Sequence, residues 1–204
     1  MESSPIPTPE FPAPPVSPDW PAIRSWRVRM RQALIGRRLG LDGALRKTRG
    51  ERARQRLLEA VDLSRFATLG VYWPVRGEID VLGIAAAHLA RGGRVALPVV
   101  VRPFAPVEFW SWAPGVPMSR GVWNIPIPAE RELLAPEALI VPLVGFDARC
   151  YRLGYGGGYY DRTIAAAAPR PWCVGLGFEG GRLESIFPQP HDIPMDLVVT
   201  DGAD

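Results

Sequence analysis

The sequence predicts one α/β domain, built on an open, doubly wound, mostly parallel sheet with helices on both faces. Three observations carry that prediction. Short apolar runs rich in branched residues, of which residues 138–144 (ALIVPLV) are the plainest, have the uniform hydrophobicity of strands buried on both faces. These runs alternate with helical stretches, the order that builds parallel sheets. The chain has 204 residues and 47% hydrophobic content, enough for one sizeable core, and one domain is the usual outcome at this length.

Taken in order, the first nineteen residues hold seven prolines, no helical periodicity and no apolar stretch of the signal-peptide kind. They predict a disordered or polyproline-like tail, with the folded domain over residues 20–204. Residues 20–38 and 50–62 read as amphipathic helices whose Ile23, Leu34, Leu57 and Val61 face inward. Strands are expected at 68–73, 94–99, 107–112, 138–144, 172–178 and 197–200, with helices at 81–90 and 159–168 between them. Residues 118–128 (MSRGVWNIPIP) read as an irregular loop lining a pocket.

Composition narrows the function. No segment is apolar enough for a membrane span, and two cysteines, Cys150 and Cys173, provide neither a disulfide framework nor metal spacing, which fits a reducing cytoplasm. Two histidines are too few for a histidine-rich metal site; His88, in an alanine-rich helix, reads as a surface or satisfied residue. Twelve of the 24 basic residues lie between positions 24 and 56, opposed only by Asp42 and Glu51. Solvated helix faces account for most of that charge. A nucleic-acid adaptor would carry the same charge, but the segment lacks a binding motif and interleaved aromatics.

Residues 152–162 (RLGYGGGYYDR) announce chemistry. Gly154, Gly156, Gly157 and Gly158 fall within five positions, between Arg152 and Arg162, with the acid Asp161 following. The order strand, loop, glycine run, helix brings amide donors and the positive end of a helix dipole to the carboxyl end of a strand, as a nucleotide phosphate requires. A flexible turn would also use glycine, but the flanking charges favour the anion reading. Two standard motifs fail: a P-loop needs Gly-Lys-Ser/Thr, and the dinucleotide fingerprint needs a third glycine where Tyr159 stands. Lys47 is the chain's only lysine, so phosphate charge must be met by arginine, whose planar fork suits phosphate oxygens. Asp161 is then the natural carboxylate for the magnesium that accompanies ATP.

The longer segment VPLVGFDARCYRLGYGGGYYDR (residues 141–162) resembles the signature of the 5-formyltetrahydrofolate cyclo-ligases, also called methenyltetrahydrofolate synthetases. The resemblance extends to YWPVRGEID (72–80), VALPVV (95–100), WNIPIP (123–128) and HDIPMDLVVTD (191–201), in the family's order. It implies an ATP- and Mg²⁺-dependent closure of 5-formyltetrahydrofolate, with or without a polyglutamate tail, to 5,10-methenyltetrahydrofolate; the alternatives are a nucleotide-binding relative without folate turnover and the basic nucleic-acid adaptor. A cytoplasmic monomer with no nucleic-acid partner is expected. On the ATP side it implies Arg27 and Arg31 of the first helix, with Arg27 in place of a lysine, and the loop residues Arg152, Leu153, Gly154, Tyr155, Gly156, Gly157, Gly158, Tyr159 and Tyr160. Asp161 is the implied metal ligand. On the folate side it implies Trp73, Glu78 and Trp123 with Tyr155 and Tyr159; Tyr159 and Arg152 are the expected catalytic residues. Cys150 departs from a glycine common in the turn, and Tyr155 and Gly157 stand where some relatives carry basic residues.

Overall fold

The computed structural model describes residues 11–16 and 19–202. Two helices open the domain. Helix α1 (Trp20–Gly40) is capped by Asp19, whose carboxylate accepts from the Ala22 N–H, with Pro21 in its first turn. Helix α2 (Gly43–Ala60) begins seven residues earlier than the sequence suggests, because Asp42 caps it through the N–H groups of Ala44 and Leu45. Gly50, taken from sequence as the helix start, is an interior glycine facing Ile79. Of the proline-rich stretch expected to be disordered, residues 1–10 and 17–18 lie outside the described residues. Between them, the Pro12 carbonyl accepts from the Trp26 indole N–H at 3.1 Å.

The sheet strands follow as β1 (Thr68–Gly70), β2 (Arg94–Val99), β3 (Glu108–Ser111), β6 (Ala138–Pro142), β9 (Trp172–Gly177) and β10 (Leu197–Thr200), in spatial order β10-β9-β6-β1-β2-β3. All neighbours run parallel except β3, which closes one edge antiparallel to β2. Helix α3 (Leu82–Ala90) links β1 to β2, and α4 (Tyr159–Ala166) precedes β9. Two small hairpins were not expected from sequence. One pairs β4 (Met118–Arg120) with β5 (Pro126–Pro128) and replaces the irregular loop; the other pairs β7 (Gly145–Phe146) with β8 (Arg152–Leu153) beyond the end of β6.

Period-two alternation divides the core. From β6, Ala138 and Ile140 face α2 and α3, meeting Ala53, Leu57, Ile84 and Ala85, whereas Leu139 and Val141 face α4 at Ile164. Helix α1 does neither. Its Trp26, Met30 and Leu34 pack on Val144, Leu153 and Ile186, which places it over the loops at the carboxyl ends of the strands. That approach is close: a Cβ on Gly145 would lie 2.8 Å from Leu34 Cδ1. His88 is buried rather than exposed, and its Nε2 has no hydrogen-bond partner among the described residues.

Among the parallel strands alone the order is β2-β1-β6-β9-β10, so the winding reverses between β1 and β6. The connections leaving those two strands diverge and open a crevice, the place where such sheets bind ligands. No described helix is long and apolar enough to cross a membrane. Leu57, fully buried, anchors α2. Leu57→Ala should lower unfolding stability by about 2–5 kcal/mol, seen as a lower urea midpoint; an unchanged midpoint would mean that α2 contributes little to the core.

Candidate active site

Two loops meet at the reversal point. The first leaves β1. Tyr72, buried, donates its hydroxyl proton to the Ile79 carbonyl at 2.7 Å and so closes the loop between them. Within it the Glu78 N–H donates to Val75 O at 3.0 Å, and the Val75 N–H donates to Glu78 Oε2 at 2.8 Å. The turn between them uses left-handed backbone at Arg76 (φ 48°) and Gly77 (φ 73°). Glu78 is thereby fixed at the crevice. Burial pushes its carboxyl above the ordinary carboxylate range, against the opposing pull of the Tyr155 and Val75 hydrogen bonds and the charges of Arg38 and Arg76.

The second loop leaves β6 through the β7–β8 hairpin. Asp147, buried at its tip, accepts from the N–H groups of Arg149 and Tyr151 through Oδ1 and from the Ile186 N–H through Oδ2. The carboxylate thus shapes the turn and ties it to the chain near Ile186. Cys150 sits in this turn at φ 63°, a conformation that glycine adopts at no steric cost. The chain then enters the glycine run, where Gly156 (φ 93°) and Gly158 (φ 64°) also require left-handed backbone. Helix α4 starts at Tyr159 with no side-chain cap among the described residues, which leaves its first-turn amides for another acceptor.

Arg31 reaches this loop from α1, donating through Nε to Gly154 O at 2.7 Å. Its guanidinium lies against Gly156, where a Cβ would be 3.3 Å from Arg31 Cζ. Among the described residues no carboxylate pairs with it. Desolvation, and then the charge of Arg27, lower its pKa from the usual arginine value, with Asp192 pulling the other way. An anion at the glycine loop would oppose both effects by favouring the charged form.

Arg27, expected beside Arg31 at the phosphates, faces elsewhere. Its guanidinium donates to Ile186 O at 3.0 Å, Phe187 O at 2.9 Å and Asp192 Oδ2 at 2.6 Å, and the residue is 5% exposed. Arg152, expected in catalysis, is also braced by the protein: it donates to Ile193 O at 2.8 Å and pairs with Asp161 Oδ1 at 3.0 Å. Asp161 Oδ1 accepts from the Ile193 N–H as well. Its other oxygen, Oδ2, has no partner among the described residues and is the one that a metal could use. No cluster of three or more His, Cys, Asp or Glu among the described residues could hold a metal by itself. A lone carboxylate that shares magnesium with bound phosphates does fit this arrangement.

The aromatic residues divide between the crevice and the core. Trp123, on the β4–β5 hairpin, is 65% exposed at φ 57° and meets Tyr159 edge-on at 5.7 Å. Arg162 covers the Tyr159 ring at 5.1 Å and donates to the Gly157 carbonyl. Trp73 instead is half-buried against Trp112, edge-on at 6.4 Å, at the rim of the core. Tyr160 packs in the core cluster beneath α4, beside the Arg152 guanidinium at 5.9 Å.

Tyr155 joins the halves. Its hydroxyl donates to Glu78 Oε1 at 2.6 Å and accepts from Arg38 Nη2 at 2.7 Å, and Arg76 lies over its ring at 5.5 Å. Burial and the Glu78 charge raise the pKa of Tyr155, keeping it a proton donor. Arg38 was not singled out from the sequence, where it is one arginine in a dense basic run. A signal was present: at about 100° per residue, positions 27, 31 and 38 cluster along one side of the stripe formed by Trp26, Met30 and Leu34, where arginine heads are turned toward the protein.

The family model for the 5-formyltetrahydrofolate cyclo-ligase family matches residues 23–201. A 5-formyltetrahydrofolate cyclo-ligase of Mycolicibacterium smegmatis is 30% identical over 180 residues, 84% of this chain and 91% of the relative. One from Haemophilus influenzae is 29% identical over 154 residues, 71% of this chain and 82% of the relative. The fold matches a solved 5,10-methenyltetrahydrofolate synthetase of Aquifex aeolicus with a TM-score of 0.74 at 24% identity, covering 87% of this chain and 90% of that one. The chain belongs to the 5-formyltetrahydrofolate cyclo-ligase family, a family of ligases.

The Arg27–Asp192 pair, with side chains 6% and 11% exposed, ties α1 to the segment that positions Asp161. Burial alone would raise the Asp192 carboxyl; the Arg27 hydrogen bond, the Gln189 N–H and the charges of Arg27 and His191 outweigh it and hold the pKa below the ordinary value. Asp192→Ala, which strands the buried Arg27 charge, should cost about 3–5 kcal/mol at neutral pH. A group with a depressed folded pKa contributes fully above its unfolded pKa and loses that contribution as pH falls through the folded value. The stability gap between wild type and variant should therefore shrink below about pH 4. Urea titrations from pH 7 to pH 2.5 measure it; a gap independent of pH would contradict the assignment.

Proposed function

We propose that this member of the family closes 5-formyltetrahydrofolate to 5,10-methenyltetrahydrofolate, converting ATP to ADP and phosphate, in the crevice between β1 and β6. One observation carries the reading. Tyr155, inside the glycine loop, hydrogen-bonds Glu78 at 2.6 Å, so the phosphate cradle and the carboxylate of the β1 loop belong to one site. A reaction that joins a nucleotide to a folate requires that adjacency.

The formyl oxygen is a poor leaving group until it is phosphorylated. It attacks the γ-phosphorus and ADP departs; the oxygen becomes a phosphate ester on an iminium-like carbon. The N10 amine of folate attacks that carbon, loses its proton, and closes the five-membered ring as phosphate leaves with the former formyl oxygen. Little side-chain covalency is needed, and positioning and charge neutralisation govern the rate. The loop glycines and the amides opening α4 receive the phosphates, and Arg31, which no carboxylate among the described residues neutralises, supplies the charge. Arg162, holding Gly157 and covering Tyr159, keeps the loop in shape. Magnesium, when bound, neutralises phosphate oxygens, and Asp161 Oδ2 is the protein oxygen that would hold it.

Glu78 accepts hydrogen bonds from adjacent donors of the pterin ring, as a carboxylate can do in pairs. Trp123 and Tyr159 offer aromatic faces at the mouth. Trp73 stiffens the wall from behind through Trp112. Arg27 and Arg152 act by bracing, Arg152 by orienting Asp161. Both cysteines are free thiols, which suits a reducing cytoplasm.

Purified protein mixed with 5-formyltetrahydrofolate and magnesium-ATP should generate the methenyl chromophore; no product at high enzyme concentration would sink the reading, and salt-sensitive nucleic-acid binding without turnover would replace it. Arg31→Met should raise the KM for ATP about tenfold or more, and Glu78→Gln should do the same for the folate, each with the other substrate's KM changed much less. Equal effects on both substrates would remove the division of the crevice into two halves.

A further inference from the structure

Arg38 is 7% exposed, yet among the described residues no carboxylate pairs with it. Its fork is spread over three acceptors from separate parts of the chain. Nε donates to Arg76 O at 2.9 Å in the loop after β1, Nη1 to Leu143 O at 3.3 Å just past β6, and Nη2 to the Tyr155 hydroxyl at 2.7 Å. One guanidinium therefore straddles the point where the winding of the sheet reverses. A lysine could not hold three divergent acceptors in one plane.

The contact with Tyr155 has a directional consequence. A phenolic hydroxyl has a single proton, and a cationic donor already occupies one of its acceptor positions, so the proton must point away from Arg38. It points to Glu78 Oε1 at 2.6 Å. Tyr155 itself is 40% exposed and lies between Gly154 and the left-handed Gly156, so its own backbone does little to hold it in place. We propose that Arg38 is the positioning residue of the Glu78 carboxylate, acting through the Tyr155 hydroxyl, and that it thereby sets folate affinity rather than the chemical step. The folate part of this rests on the function proposed above.

The groups facing Glu78 are Tyr72 from the end of β1, Arg76 from its own loop, Tyr155 from the glycine loop, Tyr160 from α4 and Arg38 from α1. Burial drives the carboxyl toward its neutral form, and Arg38 opposes that by its charge and by aiming the tyrosine proton. Without Arg38 the carboxyl should protonate at higher pH. The acid limb of kcat/KM for the folate should then move upward by the same amount.

The test follows Glu78 by carbon-13 carboxyl NMR in the full chain, assigned with Glu78→Gln, alongside initial rates at saturating ATP. Arg38→Met should raise the Glu78 midpoint and raise the folate KM about tenfold, with a much smaller change in kcat. Tyr155→Phe should move both readouts in the same direction, and the double variant should be no worse than Arg38→Met alone, because the tyrosine hydroxyl serves Glu78 only while Arg38 aims it. Arg38→Lys should fail to restore the folate KM. An unmoved Glu78 midpoint in folded Arg38→Met, additive losses in the double variant, or full rescue by lysine would each overturn the proposal. If Arg38→Met does not fold, Tyr155→Phe decides, since Tyr155 is exposed; wild-type midpoint and KM in that variant would overturn it equally. Absence of turnover in the wild type would defeat the cyclo-ligase reading, and the Glu78 titration would then decide the role of Arg38 by itself.

Discussion

Everything at the site depends on the reversal of winding between β1 and β6. These adjacent strands are parallel, with Leu69 opposite Ala138 and Gly70 opposite Leu139, and their following loops turn to opposite sides. The closeness of the two strands is itself demanding, since a Cβ on Gly70 would meet Leu139 Cδ2 at 2.5 Å. Two loops leaving so tight a seam start as neighbours. The Glu78 loop and the glycine loop can then share a hydrogen bond although 77 residues separate Tyr155 from Glu78.

A crevice made of loops needs something to hold its walls, and here helix α1 does so with arginines. Carbonyls at the ends of strands and in turns lack ladder partners, and an unpaired buried carbonyl is costly. Arg27 serves Ile186 and Phe187, Arg31 serves Gly154, and Arg38 serves Arg76 and Leu143. Five carbonyls in four loop segments thus draw their donors from one helix. That explains why a helix so rich in charge packs on the protein through Trp26, Met30 and Leu34: the long arginine stems lie beside the apolar stripe while their heads reach the backbone beyond it.

The parallel strands were readable in the sequence because strands buried within a sheet are mostly apolar, and the edge strand β3 showed instead through its aromatic residues Phe109 and Trp110. The hairpins were not. Pro126 and Pro128 disguise β5, and β7 and β8 are two residues each, too short to show any period. Gly50 misled because a glycine in the middle of a helix resembles a boundary, whereas Asp42 marks the true start of α2 by capping. In the site, the glycine loop was legible as a local pattern, whereas Glu78 and Arg31 were reached only through the family resemblance. The partners of Arg27 and Arg152 were not legible, because Asp192 lies 165 residues from Arg27 and Ile193 lies 41 from Arg152, and nothing local marks either pairing.

Counting arginines therefore says little about where an anion would bind; what matters is which cations the protein has already neutralised. Arg27 and Arg152 each face an aspartate, so their charges are spent inside the fold. Arg31, Arg38 and Arg162 are held by carbonyls and hydroxyl or ring faces instead, which satisfy donors without cancelling charge. Those three surround the glycine loop from α1 and α4. Positive charge at the crevice follows from that division, with the basic run of α1 contributing through two of its members. Asp161 fits the same logic: paired through one oxygen with Arg152, it brings a carboxylate to the loop without setting an uncompensated negative charge against any anion that would bind there.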